Sequence, residues 1–256
     1  MGRKKTVEVP APGAKILAGH PLFDLVEDAY RVFETYKPGE VDVCTCGCCM
    51  SEATAADFFR PDIENLPLAY LEEWFSAAYA TAGVTKQVWT YLLPRILEVL
   101  SAGQSPSPLG IELALDRFDT GNSAHWSNAQ WEVLDAFQRR YLASGLSGSW
   151  GGTFEDVLCM FNSGGWELTR LLAEAEQLPD PYLAQVMWRT WCYEDWAPMK
   201  IELSPFWEKP DRAQVFEFFT SDALWGRMVA LALNDEIDPG IATKASALVD
   251  AIEASR

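Results

Sequence analysis

Histidine is scarce in this chain of 256 residues, which contains only His20 and His125. Neither histidine belongs to a His-Glu-x-x-His motif or to a comparable spacing of metal ligands. Paired nucleophiles and bases are also missing, and adjacent acidic residues such as Glu72 and Glu73 diverge on a helix instead of forming a carboxylate pair. These absences make an enzyme less favoured than a binding or interaction protein.

Long apolar runs are missing as well. The most apolar segments are interrupted by charges such as Glu98 and Arg227, and none approaches the roughly 20 residues that cross a bilayer. Residues 6–19 contain charges and prolines where a signal peptide needs an apolar core. We therefore expect no membrane association and no secretion by that route. A cluster of free thiols fits a reducing compartment better than a spaced disulfide framework does, which predicts a cytoplasmic location.

Basic residues are few relative to acidic ones. The chain has 20 Lys and Arg against 37 Asp and Glu, a formal net charge of −17. Such a charge repels nucleic acid and anionic lipid, so nonspecific binding to either is excluded. It favours an acidic interaction or inhibitor protein whose partner is basic.

Strand-type alternation bounded by turns is almost absent, whereas apolar residues recur at spacings of three and four. Ser127 and Gln130 form a capping box that predicts a helix over the following residues to about 142. A final helix is predicted over 239–254. Pro94 is expected to kink or briefly interrupt a helical segment at 84–100. These patterns predict an all-α fold.

The chain organisation follows from the same patterns. Residues 1–20 are predicted to be a flexible N-terminal tail and residues 21–256 a single all-helical domain. A short similarity between 66–71 and 178–183 suggests two related halves, about 21–147 and 148–256. The helices would then form stacked hairpins, arranged either as a solenoid or as a compact multi-helix bundle.

Four of the six cysteines lie in six consecutive residues, Cys44-Thr45-Cys46-Gly47-Cys48-Cys49. Cys46 and Cys49 have the Cys-x-x-Cys spacing that lets a tight turn direct two thiolates at one tetrahedral ion, and glycine relaxes the backbone there. Further ligands could come from the same run or from Cys159, Cys192, His20 or His125. The predicted metal ligands are Cys44, Cys46, Cys48 and Cys49.

Three chemical interpretations of the run remain open: a bound metal ion, thiols that bind no metal, and a dithiol redox switch. Zinc ranks first as the bound metal, because thiolate sites in soluble bacterial proteins most often hold it. Cu(I) accepts two or three thiolates and tolerates a crowded local set better, and the thiols could also carry no metal. A dithiol redox switch is the other alternative, favoured if 51–59 is a helix and disfavoured by the missing βαβ context of thioredoxin-like motifs.

The sequence resembles an uncharacterised family of bacterial all-helical proteins with a Cys-Pro-Cys-Cys motif. The resemblance lies in four segments: the cysteine run at 44–49, Tyr91-Leu92-Leu93-Pro94-Arg95-Ile96-Leu97-Glu98, Trp131 to Leu142, and Gln214-Val215-Phe216-Glu217-Phe218-Phe219. Gly47 stands where the family has proline, and Cys44 is additional. The resemblance implies a bacterial origin and a helical fold, and it implies no reaction. The predicted function is metal binding in a structural or sensory role.

Overall fold

Capping residues and apolar stripes divide the chain into short helices. The computed structural model describes residues 13, 15–46, 48–79, 81–144, 152–193 and 199–256. Within these ranges the regular elements are helical, and the β pairing consists of one isolated antiparallel bridge between Val43 and Tyr79. The predicted all-α class is confirmed. No helix among the described residues has both the length and the apolar character needed to cross a membrane.

The chain divides into two compact units, Met1–Gly151 and Gly152–Arg256. The helices of the first unit are α1 (Phe23–Val32), α2 (Glu52–Asp57), α3 (Leu68–Ser76), α4 (Lys86–Ser101) and α5 (Asn128–Ser144). Helix α1 packs against both α4 and α5. Most of the predicted N-terminal tail, residues 1–12 and 14, lies outside the described residues. Ile16, near its end, is buried.

Helix α4 forms the centre of the first unit. Its residues from Val88 to Ser101 are buried except Thr90, so the helix contacts protein on all sides. The helix runs without a break through Pro94, and the expected interruption does not occur. Proline removes one backbone hydrogen bond, but burial of the residues on both sides of it stabilises the helical path.

A buried ion pair lies on α4. Arg95 is fully buried and its Nη1 donates to Glu98 Oε2 at 2.6 Å. The Tyr30 hydroxyl of α1 donates to the same carboxylate oxygen at 2.7 Å, and Arg95 Nε donates to the Leu66 carbonyl at 3.1 Å. Burial and then the Glu98 charge raise the pKa of Tyr30 well above its ordinary value, so this hydroxyl stays a donor.

The second unit contains α6 (Phe154–Ser163), α7 (Leu168–Glu176), α8 (Asp180–Trp191), α9 (Lys209–Phe219), α10 (Asp222–Ala232) and α11 (Pro239–Glu253). Helices α8, α10 and α11 pack on one another, and α6 packs on α7 and α8. Thr153 and Asp156 form a reciprocal capping box at the start of α6. Buried Glu155 accepts hydrogen bonds from the Ser204 amide at 3.0 Å and from the Trp207 indole, which fixes the segment before α9.

Candidate metal centre

The segment that leads into the cysteine run, residues 41–44, is hydrogen-bonded to the C-terminal part of α3 and to the residues that follow it. The buried Trp74 indole donates to the Val41 carbonyl at 2.7 Å. Val43 pairs with Tyr79 in the isolated bridge, and the Cys44 amide donates to the Ala78 carbonyl at 2.7 Å. These contacts fix the backbone at the first cysteine.

Asp42 connects the same segment to the start of α4. Its backbone adopts a φ of 57°, a left-handed conformation that aspartate tolerates better than most side chains. Its carboxylate accepts hydrogen bonds from the Thr85 amide at 2.9 Å and from the Thr85 hydroxyl at 2.6 Å. Thr85 also caps α4, so one residue serves both the helix and the loop.

The other end of the cysteine run is held by Met50 and Ser51. The Met50 side chain is fully buried. Ser51 caps α2 by accepting from the Thr54 amide at 3.0 Å, and its own amide donates to Glu73 Oε2 at 3.2 Å. The cysteine loop, residues 44–49, is thus anchored at both ends by hydrogen bonds and by the burial of Met50.

Three thiols of the loop converge. The Cys49 amide donates to the Cys46 carbonyl at 3.0 Å, which closes the turn that the Cys-x-x-Cys spacing predicts. The sulfur atoms of Cys44, Cys46 and Cys49 all lie within 4.8 Å of one another, close enough to hold one metal ion. Zn–S bonds of about 2.3 Å place tetrahedral sulfur ligands roughly 3.8 Å apart, so a small contraction of the group suffices.

Cys48 occupies a different position. Its sulfur lies 3.2 Å from the Cys46 sulfur, but Cys48 is not in the group of three. Cys46 and Cys48 are exposed, whereas Cys44 and Cys49 are half-buried. Of the four predicted ligands, the structure therefore brings three around one point and leaves the fourth thiol beside Cys46.

The thiols differ in acidity. A hydrogen bond from the Cys48 amide, followed by hydrogen bonds from the thiols of Cys44, Cys48 and Cys49, lowers the pKa of Cys46 to about 6. The shared hydrogen bond and the negative charge of Cys46 raise the pKa of Cys48. A hydrogen bond from the Cys46 amide acts to lower the pKa of Cys44. Hydrogen bonds with the thiols of Cys46 and Cys49 outweigh that effect, so the pKa of Cys44 is raised. Cys46 is thus a thiolate near neutral pH, which is the form that binds metal.

The remaining cysteines do not belong to this group. Cys159 and Cys192 are buried in the second unit, where Cys159 contacts the Ser163 hydroxyl and Cys192 the Ala247 carbonyl. Burial raises the pKa of Cys192 to about 11. Both behave as the small core residues that buried cysteines usually are.

Neither histidine lies among the grouped ligands. His20 Nδ1 accepts a hydrogen bond from the Leu22 amide at 3.2 Å. His125 Nε2 lies 3.3 Å from Asp119 Oδ2, and its ring packs edge-on against Phe118. Among the described residues, the ligand atoms that meet the distance criterion for a metal come from the three loop cysteines.

A polar cluster lies beside the loop, and no pattern in the sequence predicts it. The Arg117 guanidinium stacks 4.3 Å above the Tyr79 ring, and its Nε lies 3.2 Å from Asp116 Oδ1. Burial raises the pKa of Asp116 despite the neighbouring Arg117. Because Tyr79 pairs with Val43, this cluster supports the bridge that positions Cys44. Such pairing joins residues distant in sequence, so no local motif predicts it.

Comparison of the chain with family models, with curated proteins and with solved structures finds no match in any of the three. The functional assignment therefore depends on the geometry and chemistry of the cysteine loop.

Proposed function

We propose that this protein binds one thiophilic metal ion, zinc in the first place, through Cys44, Cys46 and Cys49. The observation that supports this proposal is the convergence of three sulfur atoms within 4.8 Å on a loop anchored at both ends. A preformed ligand set lowers the cost of ordering the loop when the ion binds. Cys48, also predicted from the sequence as a ligand, is assigned here as an adjacent uncoordinated thiol.

The donor set is compatible with two metals. Three thiolates satisfy Cu(I) completely, whereas tetrahedral zinc takes a fourth ligand, which at this exposed loop would be water or an external group. Zinc remains first because thiolate sites in proteins most often hold it, and zinc sites with three protein ligands complete their coordination with water. The reduced thiols that either metal requires fit a cytoplasmic protein. We also propose that the chain is related to the bacterial helical proteins with a Cys-Pro-Cys-Cys motif that its sequence resembles.

The arrangement favours a sensory role over a structural one. All three ligands come from a single six-residue loop, so the metal connects no distant parts of the fold. An unfolded chain keeps the same ligands close together and binds metal as well, which reduces the stabilisation of the folded state. Hydrogen bonds at Val41, Asp42 and Ser51 already hold both ends of the loop.

The test measures metal content by elemental mass spectrometry after anaerobic purification. The wild type and the Cys48→Ser variant should carry about one metal ion per chain, whereas Cys46→Ser and Cys49→Ser should carry little, because each removes one of three ligands. Circular dichroism checks that each variant keeps its helices. A metal-free wild type, or equal metal content in Cys46→Ser and Cys48→Ser, would refute the proposal.

The charge of the molecule supports a second proposal, that the protein binds a basic partner. The 37 acidic residues outnumber the 20 basic ones, and the resulting negative charge attracts a positively charged protein. This role is compatible with metal binding, because a partner would contact the surface while the ion occupies the loop.

A further inference from the structure

The contact between Cys46 and Cys48 has a chemistry that metal binding does not use. Their sulfur atoms lie 3.2 Å apart and both side chains are exposed. A disulfide needs a separation of about 2.05 Å, so the two sulfurs must approach by roughly 1 Å. Two exposed side chains can do this by small rotations. The Cys46 sulfur belongs to the group of three that can hold a metal ion, and the Cys48 sulfur does not.

We propose that a hydroperoxide oxidises Cys46 and Cys48 to a disulfide, and that this reaction releases the bound metal. The inference rests on the proposed function, since it assigns a regulation to the same site. Oxidation removes Cys46 from the ligand group and leaves Cys44 and Cys49 alone. Two thiolates hold zinc much more weakly than three, so the redox state of the loop controls its metal content.

The reaction balances with hydrogen peroxide as the oxidant. The Cys46 sulfur attacks one peroxide oxygen, an S–O bond forms, the O–O bond breaks, and the departing hydroxide takes a proton and becomes water. The Cys48 sulfur then attacks the sulfenic sulfur of Cys46, an S–S bond forms, the S–O bond breaks, and a second water leaves. Two thiols lose two electrons in total, and one peroxide is reduced to two waters.

Cys48 is the resolving thiol because of its position. A bound ion weakens all three ligand sulfurs as nucleophiles, but Cys46 is the exposed ligand that peroxide reaches, whereas Cys44 and Cys49 are half-buried. Cys48 is outside the ligand group and already touches Cys46. Its side chain is exposed, so Cys48→Ser should fold as the wild type does.

The experiment loads reduced protein with zinc, adds one equivalent of hydrogen peroxide without oxygen, and follows released zinc with a chromogenic indicator. Differential alkylation before and after reduction, followed by fragmentation mass spectrometry, locates the disulfide. The wild type should release about one zinc per disulfide formed, and the disulfide should join Cys46 to Cys48. Cys48→Ser should bind zinc stoichiometrically and form no disulfide at Cys46, so that Cys46 stops at the sulfenic acid, which dimedone traps. Cys192→Ala, which changes a buried thiol of the second unit, is the matched control and should behave as the wild type does.

The outcomes separate this inference from the proposed function. Reduced wild type that binds no zinc overturns the inference, and it overturns the proposed function as well when Cu(I) does not bind either. Stoichiometric zinc binding with a disulfide between other cysteines overturns the inference alone, and so does a wild type that keeps its zinc after the Cys46–Cys48 disulfide has formed. Loss of zinc from reduced Cys48→Ser also overturns it, since Cys48 would then be a ligand.

Discussion

At the scale of single residues, Cys46 should be the most reactive thiol of the metal-free protein. Its pKa is lowered to about 6, first by the Cys48 amide and then by neighbouring thiols. Because the thiolate is the nucleophile, the rate of alkylation should rise as the pH increases and reach half its plateau near pH 6. Iodoacetamide labelling between about pH 4 and pH 9, with quantification of each cysteine by mass spectrometry, measures this directly.

Two variants serve as controls for this profile. Cys46→Ala should lose the phase near pH 6, whereas Cys192→Ala should keep it, since burial raises the pKa of Cys192 to about 11. A profile in which all loop thiols titrate together above pH 8 would contradict the assignment. Zinc should slow the alkylation of Cys46 at neutral and alkaline pH, because a coordinated thiolate is a weaker nucleophile, and this protection should be lost at acidic pH, where protons displace the ion.

The location of the candidate site could be predicted from the sequence, but its composition could not. The density of cysteines at 44–49 is a local feature, and so is the Cys-x-x-Cys turn that joins Cys46 to Cys49. The inclusion of Cys44 depends on the backbone position that the hydrogen bond from its amide to the Ala78 carbonyl fixes. That bond joins residues more than 30 positions apart, which no spacing rule within the run describes.

At the scale of secondary structure elements, α3 should control metal affinity through Trp74. Trp74→Phe keeps an aromatic ring in the core but removes the hydrogen bond to Val41 at the entrance to the loop. We expect zinc affinity to fall about fivefold, the effect of losing roughly 1 kcal/mol of loop preorganisation. Competition with a chromophoric chelator measures the dissociation constant.

Trp89→Phe is the matched control for this measurement. Trp89 is as buried as Trp74, and its indole donates to the Thr120 hydroxyl at 2.9 Å instead of to the loop. Both variants lose one buried hydrogen bond and a similar ring volume, so their global stability should fall alike. Equal zinc affinities in the two variants would show that α3 does not position the loop.

The stability of the first unit should depend strongly on the ion pair within α4. Glu98→Gln removes the carboxylate that accepts from buried Arg95 and should lower the free energy of unfolding by about 3–5 kcal/mol. Tyr30→Phe removes one hydrogen bond to the same carboxylate and leaves the pair intact, so about 1.5–3 kcal/mol is expected. Urea unfolding followed by circular dichroism compares the two, and a smaller loss in Glu98→Gln would contradict this order.

Helix existence was easier to predict than helix continuity. The Ser127–Gln130 capping box is present, with a reciprocal bond from the Ser127 amide to Gln130 at 3.1 Å, and α5 follows it to Ser144. Both partners of a capping box lie within four residues, so the sequence contains the whole interaction. The path through Pro94 depends instead on packing around α4, and only tertiary contacts determine whether a proline interrupts a helix.

At the scale of the whole molecule, the net charge of −17 predicts two opposite responses to salt. Like charges repel one another in the folded state, and salt screens this repulsion, so added salt should stabilise the fold. Attraction to a basic partner is screened by the same ions, so added salt should weaken binding. The same charge excess thus produces a stability that rises with ionic strength and an affinity that falls.

The stability response can be measured on the isolated protein. From about 0.01 M to about 0.5 M NaCl the Debye length shortens from about 30 Å to a few ångström, which removes most long-range repulsion. We expect the thermal midpoint to rise by about 2–4 °C, the shift that roughly 1 kcal/mol produces in a chain of this size. Near the isoelectric point of about 4.5 the net charge vanishes and the salt effect should vanish with it. A midpoint that falls with salt at pH 7 would mean that local ion pairs such as Arg140–Asp24 outweigh the overall repulsion in the folded state.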